Sequence, residues 1–130
     1  VFEEYARWIS PIGMSPRRIA KPWTIRDVAF ETNERVFLMF GSANRDEKHF
    51  SEPDRFDIRR AEAKKHLAFG KGIHFCVGAP LAKLEGRIAF EQLLRRLPGL
   101  RLRTDEAPVF RPYFMLRGFE HLPIAWDVPA

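Results

Sequence analysis

The stretch from His66 to Gly78 reads HLAFGKGIHFCVG and holds Cys76, the only cysteine among the 130 residues. Its glycines allow the backbone to approach a flat ligand closely. The apolar pattern that follows, from about residue 79 to 97, predicts a long amphipathic helix. A helix N-terminus favours an anion, because its first N–H groups lack partners and the dipole is positive there. The sequence therefore favours a thiolate at Cys76, which is a good metal ligand.

Five residues of this stretch resemble the haem-binding signature of the cytochrome P450 monooxygenases. The signature has Phe, two residues, Gly, one residue, a basic residue, one residue, Cys, one residue and Gly, which here are Phe69, Gly72, His74, Cys76 and Gly78. The resemblance implies that Cys76 is the axial ligand of a haem iron. The alternative is that a single cysteine serves as a small buried hydrophobic residue.

The resemblance implies further cofactor contacts in the same loop, which also includes Gly70. Phe69 would cover the proximal haem face, and His74 would bond a propionate. Backbone N–H groups near Val77 and Gly78 would donate to the sulfur and tune its redox potential. Phe69 as an ordinary core residue and His74 as a surface residue are the alternatives.

A second propionate contact is expected from an arginine near the start of a strand in Arg17-Arg18-Ile19-Ala20. The resemblance favours Arg18, with Arg17 as the alternative. The guanidinium suits this role because it can bind a carboxylate through two parallel hydrogen bonds.

Glu4 and Arg7 lie three residues apart on the first predicted helix, about residues 1–9, and so share one face. On their own they predict an exposed ion pair of little energetic value. The resemblance instead implies a buried structural network, which Arg55 of the later Pro-Asp-Arg-Phe segment would join.

Two apolar segments are candidates for the substrate pocket. Ile12, Gly13 and Met14 follow the predicted helix end at Ser10-Pro11. Met115 and Leu116 precede a tight turn. The resemblance implies that both segments face the substrate, and the alternatives are a plain linker and a hairpin core contact.

The middle of the chain predicts small strands and irregular structure. Residues 23–40 predict a hairpin whose turn is Thr32-Asn33-Glu34. Residues 41–46 resemble a short helix of the family, and residues 49–60 an irregular meander. The expected fold class is mainly α with small β-sheets (α+β), the C-terminal part of the cytochrome P450 fold over residues 1–130.

The first residues already have a helical pattern without an initiating Met, so the sequence is expected to be the C-terminal piece of a longer protein. The long distal helix of the family, which delivers protons to bound oxygen, is expected to precede it.

Composition limits the other function classes. Hydrophobic residues make up 45%, Phe occurs 12 times and the formal net charge is +5. One cysteine excludes an internal disulfide, and no apolar run is long enough to span a membrane, so a cytoplasmic protein is expected. No nucleic-acid motif accompanies the basic charge, which favours an acidic protein partner over a nucleic acid.

The resemblance implies a monooxygenase that uses haem b, molecular oxygen and electrons from NAD(P)H on a small hydrophobic substrate. A ferredoxin or flavoprotein would deliver the electrons at a basic surface beside residues 66–78, here called the cysteine loop. That surface, here called the basic group, consists of Lys64, Lys65, Lys71, Lys83 and Arg87. A haem-binding module without oxygenase activity and a peroxide-using peroxygenase are the alternatives.

Overall fold

Three α-helices and eight short strands organise residues 1–128, the part of the chain that the structure, a computed structural model, describes. The helices are α1 (Phe2–Ile9), α2 (Phe40–Ala43) and α3 (Ala79–Arg96), with 3₁₀ turns at Ala61–Lys65 and Gly72–His74. The strands are β1 (Ser15–Arg18), β2 (Trp23–Ile25), β3 (Val28–Phe30), β4 (Arg35–Leu38), β5 (Arg101–Leu102), β6 (Val109–Phe110), β7 (Phe119–His121) and β8 (Ile124–Ala125). Within residues 1–128, no helix has the length and apolar character needed to cross a bilayer.

The strands pair only in twos, as antiparallel sheets β1–β4, β2–β3, β5–β8 and β6–β7. The longest element is α3, with 18 residues. This combination of helices with small sheets confirms the expected fold class.

The hairpin expected over residues 23–40 is wrong in its pairing. β2 and β3 form a hairpin of their own around Arg26 and Asp27, while β4 pairs with β1. The turn was not recognisable because Arg26 adopts a positive φ of 53° without being Gly or Asn. The turn expected at residues 32–34 does reverse the chain, with Asn33 at a φ of 73°, but it leads into the β1–β4 sheet.

Helix α1 ends at Ile9 with Ser10 as its C-cap, as the proline at position 11 predicts, and it packs against α3. The ring of Tyr5 meets that of Phe90 edge-on with centroids 6.4 Å apart. Gly86 of α3 allows the ring of Phe2 to approach, because a Cβ at that position would overlap the ring. Phe2, at the start of α1, is thereby held beside the cysteine loop.

The largest fully buried side chains are polar or charged: Arg7, Glu4 and Asn44. Arg7 donates two hydrogen bonds to the Glu4 carboxylate, at 2.7 and 2.8 Å. Its remaining donors reach the carbonyl oxygens of Asn44, Pro53 and Arg55 at 2.8, 2.9 and 3.2 Å. A buried guanidinium is tolerated only when its donors are satisfied in this way.

The second cation of this network is Arg60, and the assignment to Arg55 is corrected. Arg60 Nε lies 3.2 Å from Glu4 Oε1, and its side chain is 5% exposed. The Arg55 side chain is 63% exposed and pairs with Glu52, so only the carbonyl oxygen of Arg55 takes part. The Asp57 N–H donates to the same Glu4 oxygen at 2.9 Å.

These bonds determine the charge state of Glu4. Burial alone raises the pKa of a carboxyl group, but hydrogen bonds from Arg7, the Asp57 N–H and Arg60 outweigh it and lower the Glu4 pKa to about 2. Glu4 is therefore ionised at neutral pH, and α1 is connected to residues 57 and 60 through a charged pair.

Few apolar side chains are buried in residues 1–128, in contrast to the buried charged network. The accessible surface is 10382 Å², against about 7,100 Å² expected for a compact protein of this mass. The apolar pattern of α3 predicts an amphipathic helix, which ordinarily buries its apolar face, but Leu81, Leu84 and Leu94 are 58%, 45% and 69% exposed. The apolar stripe of α3 is therefore a surface that the described residues do not cover.

Arg60→Met and Arg55→Met test the corrected network in the full-length protein. Arg60→Met removes a cation from a buried carboxylate, so we expect a loss of about 3 kcal/mol in the free energy of unfolding. Arg55→Met removes only an exposed ion pair, so we expect a loss of about 0–1 kcal/mol. Urea denaturation measures both, and equal losses would contradict the assignment to Arg60.

Candidate functional site

The cysteine loop is shaped by backbone hydrogen bonds and two glycines. Gly70 N–H donates to Leu67 O at 2.8 Å, and Cys76 N–H donates to Phe69 O at 2.9 Å. Gly70 and Gly72 adopt φ values of 69° and 70°, which a residue with a side chain rarely adopts. The loop therefore turns back on itself and brings Cys76 beside Phe69.

Gly78 differs from Gly70 and Gly72 in its backbone conformation. Its φ is −82°, so it needs no left-handed conformation. A Cβ on Gly78 would lie 3.7 Å from Cys76 Sγ, in contact with the sulfur. Helix α3 begins at the next residue, Ala79, with Pro80 in its first turn. The thiol thus lies just before the positive end of an 18-residue helix, as expected.

Hydrogen bonds from the Val77 and Gly78 N–H groups to the sulfur stay a prediction. Val77 is 98% exposed, as is Ile73 earlier in the loop.

Cys76 lies in the wall of a cavity of about 480 Å³, within the usual range for ligand sites. Helix α1, the segment after it, β1 and the cysteine loop all contribute to this wall. The lining residues are Phe2, Tyr5, Ala6, Pro11, Ile12, Ser15, Arg17, Phe40, Ala68, Phe69, Gly70, His74, Cys76 and Ala82. We call this space the cysteine cavity.

Phe69 is the aromatic centre of the cysteine cavity. Its ring stacks on that of Phe2 with centroids 6.3 Å apart and planes at 15°. Phe75 contacts it edge-on at 6.3 Å, and Lys83 Nζ lies 5.7 Å from the ring centroid. Phe69 thus packs in an aromatic cluster and lines the cavity, and its contact with a haem face stays a prediction.

The structure places Arg17, not the favoured Arg18, in the cavity wall. Side chains alternate along β1, so Arg17 shares a face with Ser15, while Arg18 points to the opposite face. Arg17 donates hydrogen bonds to Ser15 Oγ at 2.7 Å and to Pro16 O at 2.8 Å. The strand begins at Ser15, two residues earlier than expected.

This set of residues fits a haem. Within residues 1–128, no group of three or more His, Cys, Asp or Glu side chains could hold a metal ion, so a metal bound at Cys76 needs its other ligands from a cofactor. The cavity wall is mainly apolar, as a porphyrin requires. Two basic side chains in that wall, Arg17 and His74, can bind carboxylates at the edge of such a ligand.

The two segments expected to face a substrate come together in the structure. Ile12 bridges Leu116, and Gly13 N–H donates to Met115 O at 3.3 Å. Ile12 lines the cysteine cavity, whereas Gly13, Met115 and Leu116 line a neighbouring cavity of about 360 Å³. Met14 is in the wall of neither.

Asn44 is a functional residue that sequence reasoning missed. It is 0% exposed, its Nδ2 donates to Ser10 Oγ at 2.9 Å, and its Oδ1 accepts from Leu67 N–H at 2.6 Å. Asn44 therefore joins the end of α1 to the start of the cysteine loop. The only signal was its place in the Ala-Asn-Arg-Asp segment, which gave no indication of burial.

The basic group is exposed at all five positions. Lys83 differs from the others, because its Nζ is bonded to Glu3 Oε1 at 2.9 Å.

Comparison with known proteins gives the same assignment as the site. The family model described as Cytochrome P450 matches residues 1–111. Among curated proteins, 6-deoxyerythronolide B hydroxylase of Saccharopolyspora erythraea is 44% identical over 126 residues, covering 96% of this chain and 31% of the relative. Steroid C26-monooxygenase of Mycolicibacterium smegmatis is 43% identical over 129 residues, covering 98% and 32%.

Solved structures show the same likeness. CYP109E1 from Bacillus megaterium in complex with testosterone superposes with a TM-score of 0.91 at 33% identity, covering 97% of this chain and 35% of that one. The chain spans about a third of the length of the curated relatives it matches.

Arg17→Met and Arg18→Met form a matched pair of neighbouring substitutions that tests the cavity wall. Loss of a charge-assisted hydrogen bond to a propionate costs about 1.5–3 kcal/mol, so Arg17→Met should weaken haem retention by about tenfold or more. Arg18→Met should leave it unchanged. Transfer of haem from the full-length protein to an excess of apoglobin measures retention, and a larger effect at Arg18 would restore the original assignment.

Proposed function

Because the chain belongs to the cytochrome P450 family, we propose that it forms the part of a monooxygenase that holds haem b through the sulfur of Cys76. The observation that carries this proposal is the cysteine cavity, in which a lone thiol, an aromatic cluster and two basic side chains line one wall. Haem b fits better than a covalently attached haem, since the only cysteine is the proposed axial ligand.

When bound, a haem with a thiolate ligand supplies the oxygen-activating chemistry that the protein side chains lack. The residues of this chain hold and orient the cofactor. The positive end of the α3 dipole lies next to Cys76, where it can stabilise negative charge on the sulfur ligand. Phe69 and Phe2, stacked beside it, keep water from the sulfur. Val77 and Gly78 N–H groups are proposed to donate to the sulfur once the ligand fixes its position.

The edge of the haem is proposed to lie against Arg17 and His74. Both side chains line the cysteine cavity, and a guanidinium can bind a propionate through two hydrogen bonds. Anchoring both propionates fixes the ring plane, and with it the position of the iron relative to Cys76.

The substrate is proposed to be a small hydrophobic organic molecule. Ile12, in the wall of the cysteine cavity, and Gly13, Met115 and Leu116, in the neighbouring cavity, are the proposed pocket residues. Met14, the residue after Gly13, is proposed as a further member. Names of the relatives support hydroxylation as the reaction, since they are called a hydroxylase and a steroid monooxygenase.

Electrons are proposed to come from NAD(P)H through a ferredoxin or flavoprotein that docks on the basic group. An exposed basic surface next to the cysteine loop would attract an acidic partner and raise its association rate. A cytoplasmic location agrees with the single cysteine and with electron supply from NAD(P)H.

Cys76→Ser tests the axial ligand in the full-length protein. Thiolate ligation gives the reduced carbon monoxide complex a red-shifted Soret band, because the sulfur donates electron density to the iron. We expect the wild type to show this band and Cys76→Ser to lose it. A wild-type protein without the band would exclude the proposal, whereas the band in Cys76→Ser would exclude this ligand only.

Lys71→Glu and Arg87→Glu test the docking surface. They are better probes than Lys83, whose ammonium group is engaged with Glu3. We expect each reversal to slow reduction by the partner at low salt by about tenfold, with the difference shrinking as ionic strength rises. Stopped-flow reduction measures this, and Lys21→Glu, on the exposed link between β1 and β2, is the charge-matched control. Equal slowing by the control would contradict a specific surface.

A further inference from the structure

Three side chains from separate parts of the chain meet beside the cysteine loop. Glu3 of α1 bonds both partners: its Oε2 lies 3.0 Å from His66 Nε2 and its Oε1 lies 2.9 Å from Lys83 Nζ of α3. The His66 side chain is 3% exposed, against 24% for Glu3 and 45% for Lys83. His66 is thus the buried member of the cluster, ten residues before Cys76 and outside the proposed haem contacts.

The hydrogen bonds of His66 define its protonation state. Nδ1 accepts from the Ala68 N–H at 3.1 Å, so this nitrogen carries no proton. Nε2 then carries the proton and donates to Glu3. The neutral imidazole therefore satisfies one backbone donor and one carboxylate at once. A second proton, on Nδ1, would place that N–H opposite the Ala68 N–H. Two donors cannot bond each other, so the Ala68 hydrogen bond would be lost.

The backbone bond at Ala68 connects His66 to the cysteine. The next residue, Phe69, offers its carbonyl oxygen to the Cys76 N–H at 2.9 Å. The Phe69 ring also packs on the His66 ring with centroids 5.6 Å apart and beneath Lys83. The cluster therefore fixes both the carbonyl and the ring of the residue that holds Cys76 in place.

We propose that His66 is a positioning residue for the thiolate: its neutral imidazole holds residues 68 and 69 against Cys76, and its protonation releases the loop. This inference rests on the proposed function, because the consequence concerns the ligand of the haem. Nothing in it requires His66 to touch the cofactor.

The electrostatic surroundings favour the neutral form. Burial lowers the pKa of His66 below its ordinary value of 6.5, and although Glu3 on α1 opposes this, Lys83 on α3 adds to it. Since the unfolded chain binds a proton at higher pH than the folded one, the contribution of His66 to stability is complete above pH 6.5 and declines as the pH falls below it. The loop should therefore loosen on mild acidification.

His66→Asn and His66→Gln separate the two bonds of the imidazole. An Asn side chain accepts readily from the N–H two residues ahead, so it preserves the Ala68 bond without titrating. A Gln side chain can still donate to Glu3 but offers no acceptor at the position of Nδ1. His49→Gln, at an exposed histidine in the irregular segment, is the matched control.

The experiment uses the full-length, haem-loaded protein at pH values between about 7.5 and about 5, on either side of the ordinary histidine pKa. The reduced carbon monoxide spectrum reports thiolate ligation, and amide hydrogen exchange at Ala68 and Cys76 reports the loop. We expect the wild type to lose the red-shifted band as the pH falls, and His66→Asn to retain it. In His66→Gln the band should be weak throughout, with exchange at both amides about fivefold faster, as for one lost hydrogen bond.

Two results would overturn the inference: His66→Gln with the wild-type pH profile and exchange rates, or His49→Gln with the same losses as His66→Gln. A wild-type protein that lacks the red-shifted band at every pH would overturn the proposed function instead. The exchange rates at Ala68 and Cys76 would still decide whether His66 orders the loop.

Discussion

The buried pair of Glu4 and Arg7 is the interaction on which the rest of the structure depends. Two opposite charges without access to water are stable together only when their remaining donors and acceptors are also satisfied. Carbonyl oxygens of residues 44, 53 and 55, the Asp57 N–H and Arg60 provide that satisfaction. A single turn of α1 thereby fixes the path of the chain across residues 44–60, which has almost no regular secondary structure.

Side-chain hydrogen bonds connect this charged pair to the cysteine loop and so determine where the thiol lies. Asn44 offers its carbonyl oxygen to Arg7 and its side-chain oxygen to Leu67 N–H, so the same residue belongs to the network and to the start of the cysteine loop. His66 adds a second link through Glu3, the residue beside Glu4. The sulfur is therefore placed relative to α1 by hydrogen bonds whose directionality leaves little freedom, which a site for a metal ligand requires.

The parts of the fold and of the site that could be predicted are those specified by residues close together in the sequence. The cysteine loop, α3 and the Glu4–Arg7 pair lie in short contiguous patterns, and the structure forms each of them. Arg60 was not considered, because no sequence pattern shows which side chain turns inward from an irregular segment. The sequence likewise did not decide whether Arg17 or Arg18 faces the cavity. His66 and Asn44 were missed because their burial arises from partners 23 to 63 residues away in sequence. Hydrophobic periodicity, which is local, does not predict contacts at that distance.

In residues 1–128 the buried centre is polar and much of the apolar surface is exposed, and this distribution determines where folding free energy can come from. Among residues 1–128, only four hydrophobic residues are buried, and three of them are alanines. Burial of apolar area is the main source of folding free energy. Buried ion pairs contribute little net stability, because desolvation offsets their attraction. The network of Glu4, Arg7 and Arg60 therefore specifies an arrangement more than it stabilises one. The apolar area that could stabilise the fold by being buried is exposed in residues 1–128, and it includes the stripe of Leu81, Leu84 and Leu94 on α3. That stripe belongs to the same helix at whose N-terminus Cys76 lies, so the helix that orients the sulfur is also the one with the largest apolar surface left to bury.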